Sequence, residues 1–391
     1  MSESTVGAHA GAQRVSLWRI IWLWTRLGVT GFGGPQAHIV MLRDLMVTRH
    51  QWMSTDEFEH AVATVNLLPG PASTQLAMYC AWKLRRSPGA VLGGLCFIIP
   101  GLIAILIASI FFLGSSPPGL LLGAALGAGA VIPLIALRAG IDLGRPAMAR
   151  VRQERVQVIR FFLWGIVGLV SCLLLGPLLV LALLFCGVAE LLIFRAQQRV
   201  VPKKLSVLAL LVIAPGSVLP IIWTALKVGA LSFGGGFVII PLMQADAVHR
   251  YHWMTNSQFL TAVALGQLTP GPVVQTVAAV GYAAGGLSWG VLAAVIAFAP
   301  SFLFILFLAP SFEAIRNSPS AQAFLRGAGP AAIGAILGTS VLLALGFVHL
   351  WQLPIALIAA VWLLVLKRGT PLILLTGALL GILAVVTGLP H

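Results

Sequence analysis

The sequence predicts an all-α polytopic membrane protein made of two homologous halves. Of its 391 residues, 59% are hydrophobic and only 9% are charged, whereas soluble domains carry about 25% charged residues. Residues 26–75 recur at 227–276 with a constant offset of 201 and no gap. A two-fold internal repeat in a hydrophobic chain is typical of secondary transporters, whose substrate site lies where the halves meet.

Apolar runs long enough to cross a hydrocarbon layer of about 30 Å predict the membrane spans. In the first half the predicted spans are 16–34, 58–82, 88–113, 118–140, 157–175 and 177–194. In the second half they are 217–235, 258–284, 287–311, 322–347, 351–366 and 371–389. The segments 35–57 and 236–257 are too polar to cross and are expected to be re-entrant or interfacial linkers. The predicted domain bounds are 1–200 and 205–391.

Loop charges predict the orientation of the halves. Basic clusters follow the second and fourth spans and should face the cytoplasm: Lys83, Arg85, Arg86, Arg145, Arg150, Arg152 and Arg155. The matching loops of the second half, at 285–287 and 346–349, carry no Lys or Arg. In contrast, the turn at 175–177 in the first half is uncharged, and the matching turn of the second half carries Lys367 and Arg368. This flip predicts inverted repeats.

The number of crossings between the halves stays open at this point. Inversion requires an odd number of crossings from one repeat to the next, and the first half shows six. The apolar stretch 205–215 could supply the missing crossing if it joined part of 217–235.

Several function classes find no support in the sequence. The net charge of +14 comes from Lys and Arg in short loops, as the positive-inside rule produces, so nucleic acid is not expected as a partner. Neither a catalytic set such as HExxH nor paired carboxylates within spans is present, so an enzyme is not expected. The cysteines show no metal-ligand spacing, and no metal or cofactor is expected: Cys80, Cys96, Cys172 and Cys186.

Two glycine motifs, at 31–35 and 232–236, each end a predicted helix. Glycines let backbone N–H groups approach a ligand closely, and a following helix N-terminus favours an anion. The alternative is that small residues only permit tight helix packing. Duplication at matched positions favours the ligand interpretation.

Two Pro-Gly-Pro breaks, within 68–75 and 269–276, lie in the middle of long apolar spans. Proline removes a backbone donor and forbids a straight helix, so each span should consist of two half-helices around unwound backbone. Simple bends are the alternative. The polar residues that accompany both breaks favour a lined site, because neutral hydroxyls and amides can hold an oxyanion without trapping it.

Charged residues near these motifs are few. Arg26 and Lys227 occupy equivalent positions before the glycine motifs, and a cation inside a membrane span is a functional candidate. Either could instead extend to a lipid head group. Glu190 could carry a proton, or pair with Arg195 at the cytoplasmic end of its span.

These considerations predict one set of anion-binding residues and no catalytic residue. The predicted substrate-binding residues are Arg26, Gly33, Gly34, Asn66, Pro69, Gly70, Pro71, Ser73, Thr74, Gln75, Lys227, Gly234, Gly235, Gly236, Gln267, Thr269, Pro270, Gly271, Pro272, Gln275 and Thr276.

The same motifs, together with Trp52-Met53 and Phe58, resemble those of the chromate ion transporters in their long-chain, two-domain form. The resemblance covers essentially the whole chain. It implies a multi-pass exporter of the bacterial inner membrane that lowers cytoplasmic chromate and gives chromate resistance, and it implies no particular coupling ion. The two halves are not identical at these motifs. In their alignment, Pro35 is matched by Gly236 and Asn66 is matched by Gln267.

The leading hypothesis is therefore outward secondary transport of a divalent oxyanion by alternating access of the two halves. The alternative is a carrier or channel for sulfate or another small anion. Expected partners are chromate, with sulfate as a second anion, and membrane lipid; a homodimer is compatible with the sequence.

Overall fold

The computed structural model describes residues 15–66, 68, 70–114, 118–152, 154–175, 179–197, 218–232, 239–312, 314 and 317–389. All regular elements in these ranges are helices. The first half contains α1 (Leu17–Thr30), α2 (Gly34–Arg43), α3 (Thr55–Val65), α4 (Ala72–Phe112), α5 (Gly119–Gly129), α6 (Ile132–Val151), α7 (Arg155–Leu175) and α8 (Leu179–Gln197). The second contains α9 (Leu219–Leu231), α10 (Ile239–Gln244), α11 (Asn256–Leu268), α12 (Thr276–Gly285), α13 (Leu287–Leu308), α14 (Pro319–Leu345), α15 (Gln352–Ala360) and α16 (Thr370–Val386).

Six described segments are long and apolar enough to cross a membrane, which confirms the polytopic all-α prediction. They are Ala72–Phe112, Gly119–Val151, Arg155–Leu175, Leu179–Gln197, Leu287–Ser311 and Pro319–Leu345. The stretch 205–215, invoked above for an extra crossing, lies outside the described residues.

Two predicted spans differ in detail from the observed helices. The segment 118–140 was expected to be one helix, but α5 ends at Gly129 and α6 begins at Ile132. Pro133 explains the interruption, because its ring clashes with the carbonyl four residues earlier. Conversely, α4 consists of two helical parts that meet at a sharp bend at Arg85 and Arg86, where the backbone leaves helical geometry. This bend separates the two spans predicted there.

The repeat is visible in local geometry outside the spans. In both halves the helix after the glycine motif continues as one π-helical segment, Asp44–Arg49 and Ala245–Arg250. Each is followed by a non-glycine residue in the left-handed region, Gln51 with φ 50° and His252 with φ 53°. Two stacked ring pairs then match, His50 with Trp52 and Tyr251 with Trp253. The duplicated sequence therefore folds into duplicated backbone.

Equivalent helices of the two halves pack antiparallel to each other. The helix α6 and the later part of α14 are equivalent, because the sequence Gly-Ala-Gly at 127–129, which ends α5, recurs at 327–329 within α14. Gly140 of α6 lies against Leu337 of α14, and Gly144 lies against Ile333. The order of these contacts runs in opposite directions along the two helices. The second part of α4 and its counterpart α13 do the same, since Gly94 lies against Phe302 and Gly290 against Leu106.

The last two helices of each half pack against the other half. Gly168 of α7 lies against Ala331 of α14, and Gly327 of α14 lies against Cys186 of α8. In the matching arrangement, Gly127 of α5 lies against Gly377 of α16. Glycines at these crossings let the backbones approach closely, as in other membrane helix pairs. The two sequence halves are thus interleaved in space.

The expected Glu190–Arg195 pair is wrong. Glu190 of α8 accepts hydrogen bonds from Arg160 Nη1 at 3.1 Å and from Trp164 Nε1 at 3.0 Å, both on α7. Residues five apart on a helix point in different directions, whereas pairs three or four apart share a face. The carboxylate therefore finds its partners on the neighbouring helix.

Candidate functional site

The first glycine motif forms the junction between α1 and α2. The helix α1 stops at Thr30, and Gly33, which caps α2, and Gly34, the first residue of α2, adopt φ angles of 101° and 75°. Those angles lie in the left-handed region, where a side chain is strained. No side chain caps α2, whose first turn contains Pro35. The N–H groups at this helix end are thus available to an anion.

The second Pro-Gly-Pro break unwinds the chain between α11 and α12, as predicted. The helix α11 ends at Leu268, Gly271 has a φ of 99°, and one turn of 3-10 helix (Val273–Gln275) precedes α12. The Gly271 N–H donates a hydrogen bond of 2.9 Å to the Gly31 carbonyl. This bond joins the first glycine motif directly to the break of the other half.

The helix α4 holds this junction from behind. Gly101 lies so close to it that an added Cβ would overlap the Pro270 carbonyl oxygen and the Gln275 side chain. The Gln275 amide nitrogen donates to the Ile98 carbonyl at 3.2 Å. Because the backbone of Gly101 is helical, its conformation does not require glycine. The lack of room for a side chain does.

The first break is similar in outline. The helix α3 ends at Val65 and α4 begins at Ala72, with Gly70 at a φ of 122° between them. An added Cβ on Gly70 would lie 3.0 Å from the Ser301 hydroxyl of α13. The break of this half therefore also packs against a helix of the other half. Pro69, and Gly234, Gly235 and Gly236 of the second glycine motif, lie outside the described residues.

Most predicted polar residues are buried around the breaks. Ser73, Thr74 and Gln75 follow the first break, and Gln275 and Thr276 follow the second; all five are at most 2% exposed. Several hydroxyls and amides bond their own helices, as Asn66 does to Val62 and Thr269 to Leu265. Buried polar atoms near the breaks that have no partner among the described residues include the Gln267 amide nitrogen, the Thr74 hydroxyl and the Gln275 amide oxygen.

A cavity of about 360 Å³ adjoins the first glycine motif. It is lined by Gly33, Gly34 and Gln267, and also by Arg138 and Asp142 of α6 and by Thr370. Its volume falls in the lower part of the range of about 300–1,000 Å³ for small-ligand sites. The structure thus gathers three predicted residues from both halves at one cavity.

Arg138 and Asp142 are the charged residues of this cavity, and neither was predicted as a site residue from the sequence. The Arg138 side chain donates through Nη1 to the Arg368 carbonyl at 2.5 Å, and its Nε lies 3.4 Å from Asp142 Oδ2. A usable signal was present, since Arg138 lies inside the predicted span 118–140 and an intramembrane cation indicates function.

The two predicted cations have different surroundings. Arg26 is exposed, with its guanidinium 5.7 Å from the ring of Trp22. Lys227 is 6% exposed and forms an ion pair with Asp246, which is fully buried. Asp246 is a second residue that the sequence analysis missed, because its segment was interpreted as a polar linker. Neither cation is among the residues that line the cavity.

Comparisons with known proteins agree on one family. A family model described as chromate transporter matches residues 18–191 and 219–382. The chain is 31% identical to the chromate transport protein of Cupriavidus metallidurans, covering 97% of this chain and 96% of that protein. It is 29% identical to the probable chromate transport protein of Synechococcus elongatus, with 98% of each chain covered. It is 32% identical to the chromate transport protein of Pseudomonas aeruginosa, with 82% of this chain and 79% of that protein covered. No solved structure matches the chain.

Proposed function

This chain belongs to the chromate transporter family, and on that premise we propose that it exports chromate from the cytoplasm across the inner membrane and so gives chromate resistance. It is a multi-pass membrane protein and a transporter, not an enzyme. Chromate is a tetrahedral oxyanion with two negative charges. The proposal therefore requires a site for such an anion and a way to expose it to each side in turn.

One observation carries the proposal: the Gly271–Gly31 hydrogen bond joins unwound backbone of the two halves beside a cavity. Unwound backbone at membrane depth is tolerated only where protein or a water-filled cavity surrounds it. The amides at the start of α2 and the free amide of Gln267 supply neutral donors, which hold an oxyanion through hydrogen bonds. The other predicted substrate-binding residues remain part of the proposal.

Inverted repeats would let the halves exchange roles between an inward-open and an outward-open state. The antiparallel packing of α6 with α14, and of α4 with α13, supports this arrangement, because the members of each pair are equivalent in the repeat. Arg138 contacts the loop of Arg368, so the cavity lies towards the end where loop charge indicates the cytoplasm. A cavity on that side would load substrate from the cytoplasm.

The membrane potential alone can drive this export. Moving one negative charge out of a cell that is negative inside is favoured by about 2.3 kcal/mol per 100 mV, and a dianion gains about twice that. A proton or another coupling ion is therefore not required by the energetics.

The alternative is a carrier or channel for sulfate or another small anion. Sulfate has the same shape and charge as chromate, so backbone amides and the Gln267 amide would bind both. Discrimination between the two anions therefore requires a direct measurement.

Flux into and out of proteoliposomes with imposed potential and pH gradients tests the proposal. We expect chromate to move towards the positive side, at a rate that increases with the potential and saturates with concentration. Protein-free vesicles provide the control. Sulfate flux without chromate flux would favour the alternative, a rate that never saturates would indicate a channel, and no flux of either anion would contradict the transport function proposed here.

A further inference from the structure

Within the proposed anion transport, we infer that Arg138 binds the oxyanion and that Asp142 is a built-in competitor which occupies Arg138 until a dianion displaces it. This inference rests on the proposed function and assigns two residues to the cavity of that same site. It concerns selectivity for divalent over monovalent oxyanions.

The position of Arg138 is the first argument. This residue belongs to α6 and lines the same cavity as Gly33, Gly34 and Gln267. A guanidinium has five N–H donors in a planar fork that matches an oxyanion in two-point contact. Within the described residues, it donates one bond to the Arg368 carbonyl and makes one long contact with Asp142. Donors therefore remain for a ligand.

The Gln267 side chain gives an independent indication of a ligand. It is 8% exposed, it lines the same cavity, and its amide nitrogen has no partner among the described residues. A buried donor without an acceptor is unfavourable. An oxyanion in the cavity would accept from this amide, from the first N–H groups of α2, and from the guanidinium. Cationic, amide and backbone donors thus surround one space.

The contact between Arg138 and Asp142 is weak enough to be exchanged. Its Nε–Oδ2 distance is 3.4 Å, the side chains are 25% and 50% exposed, and the residues lie one turn apart on the same helix. Solvent screens such pairs, so they contribute little. A dianion held by two guanidinium donors and by the α2 terminus has more to gain from Arg138 than the carboxylate does.

The charge of Asp142 then determines which anions enter. A monovalent oxyanion brings no more charge than the tethered carboxylate, and so has no electrostatic advantage over it. A dianion has that advantage, yet once bound it lies beside a like charge, which favours its release. The second half has no such pair, because the positions matched by an offset of 200 hold Gly338 and Leu342. The selective element therefore belongs to the first half alone.

Transport kinetics of the full chain in proteoliposomes test this assignment, with perchlorate as a monovalent tetrahedral competitor. Asp142→Asn should lower the half-saturating chromate concentration by about tenfold and allow perchlorate to inhibit. Arg138→Gln should raise that concentration by at least about tenfold, since the charge-assisted contact of the guanidinium with the anion is lost. Arg138→Lys should lie between Arg138→Gln and the unchanged chain, because charge persists without the fork. Asp44→Asn is the matched control, since Asp44 forms an exposed pair with Arg49 away from the cavity.

A binding measurement separates this inference from the proposed function. The rise in melting temperature caused by chromate or sulfate in detergent should increase in Asp142→Asn and disappear in Arg138→Gln. If the unchanged chain transports no chromate but the variants show these changes in thermal shift, the proposal of chromate export is contradicted and the binding roles of Arg138 and Asp142 are supported. The opposite outcome is that the unchanged chain transports chromate and both variants keep its half-saturating concentration, its insensitivity to perchlorate and its thermal shift. That outcome would overturn the roles inferred for Arg138 and Asp142 and leave the proposed export intact.

Discussion

The positions of Arg26 and Lys227 are equivalent in the repeat, yet the two halves use them differently. Lys227 is buried and paired with Asp246, which also accepts a hydrogen bond of 2.8 Å from the Thr224 hydroxyl. Arg26 is exposed, and the position matching Asp246 in its half holds Leu45. A cation is thus kept in both halves, but only the second supplies a buried counter-charge.

This difference indicates what the repeat preserves. The unwound breaks, the π-helical segments and the left-handed residues Gln51 and His252 occur in both halves. The charges do not: the Lys227–Asp246 pair belongs to the second half, and the cavity pair Arg138–Asp142 belongs to the first. We therefore interpret the duplicated backbone as the shared scaffold, and the charges as the part that makes the halves functionally unequal.

The largest effects should come from the shared breaks. Gly70→Leu and Gly271→Leu should each abolish chromate export while the protein stays in the membrane, because both glycines adopt φ angles that strain a side chain. Pro270→Ala and Pro69→Ala should act in the same direction by restoring helix propensity. Export and membrane abundance are measured together. Unchanged export in these variants would reduce the breaks to structural bends.

A smaller substitution at the junction should also have a large effect. Gly101→Ala adds one methyl group where it would overlap the Pro270 carbonyl, whereas Gly329→Ala adds the same group to α14 where nothing lies within 4 Å. We expect a large loss of flux in the first variant and normal flux in the second. Equal flux in both would show that the junction has room to adjust.

The paired and unpaired cations should differ in their contribution to stability. Lys227→Gln leaves the buried Asp246 without its counter-charge, and loss of one partner from a buried pair costs about 3–5 kcal/mol. Arg26→Gln should leave the unfolding temperature in detergent nearly unchanged. The double variant Lys227→Gln/Asp246→Asn should recover part of the loss. If Lys227→Gln is as stable as Arg26→Gln, the ion pair has no structural role.

The smallest predicted effect concerns Arg26 and the substrate. If its charge helps to attract chromate, Arg26→Gln should raise the half-saturating concentration moderately and Arg26→Lys should raise it less. The flux assay measures both. An unchanged value in Arg26→Gln would assign this side chain to the lipid head-group region.

The sequence was sufficient to predict the features that depend on local chemistry. Proline and glycine determine backbone geometry by themselves, so the break at Gly271 and the end of α1 at Thr30 were predicted at the right places. The interleaving of α7 and α8 with α14 was not predicted, because it depends on contacts between residues far apart in the sequence, such as Gly168 with Ala331 and Cys186 with Gly327. The glycines that permit those crossings have no distinct pattern until their partners are known.

Charged residues were the weakest part of the prediction for a related reason. Asp246 lies in a segment that appeared polar as a whole, and only the fold brings its carboxylate to Lys227. Glu190 was assigned to the nearest cation in sequence, whereas Arg160 is its partner across the helix pair. The partner of a charge is determined by tertiary packing, which residue spacing does not specify.

The central claim is that the halves are inverted copies joined at one anion site. Cysteine labelling at two matched serine positions tests this claim most directly. Ser87 and Ser288 are exposed and occupy the same position of the repeat, and the antiparallel packing of α4 with α13 places them at opposite ends of that pair. Each is replaced by cysteine, and the unchanged chain, with Cys80, Cys172 and Cys186 buried, gives the background. We expect an impermeant thiol reagent to reach Ser87→Cys, next to Lys83, Arg85 and Arg86, only from the cytoplasm, and Ser288→Cys, next to 285–287, only from the periplasm. Labelling of both from the same side would contradict the inverted arrangement.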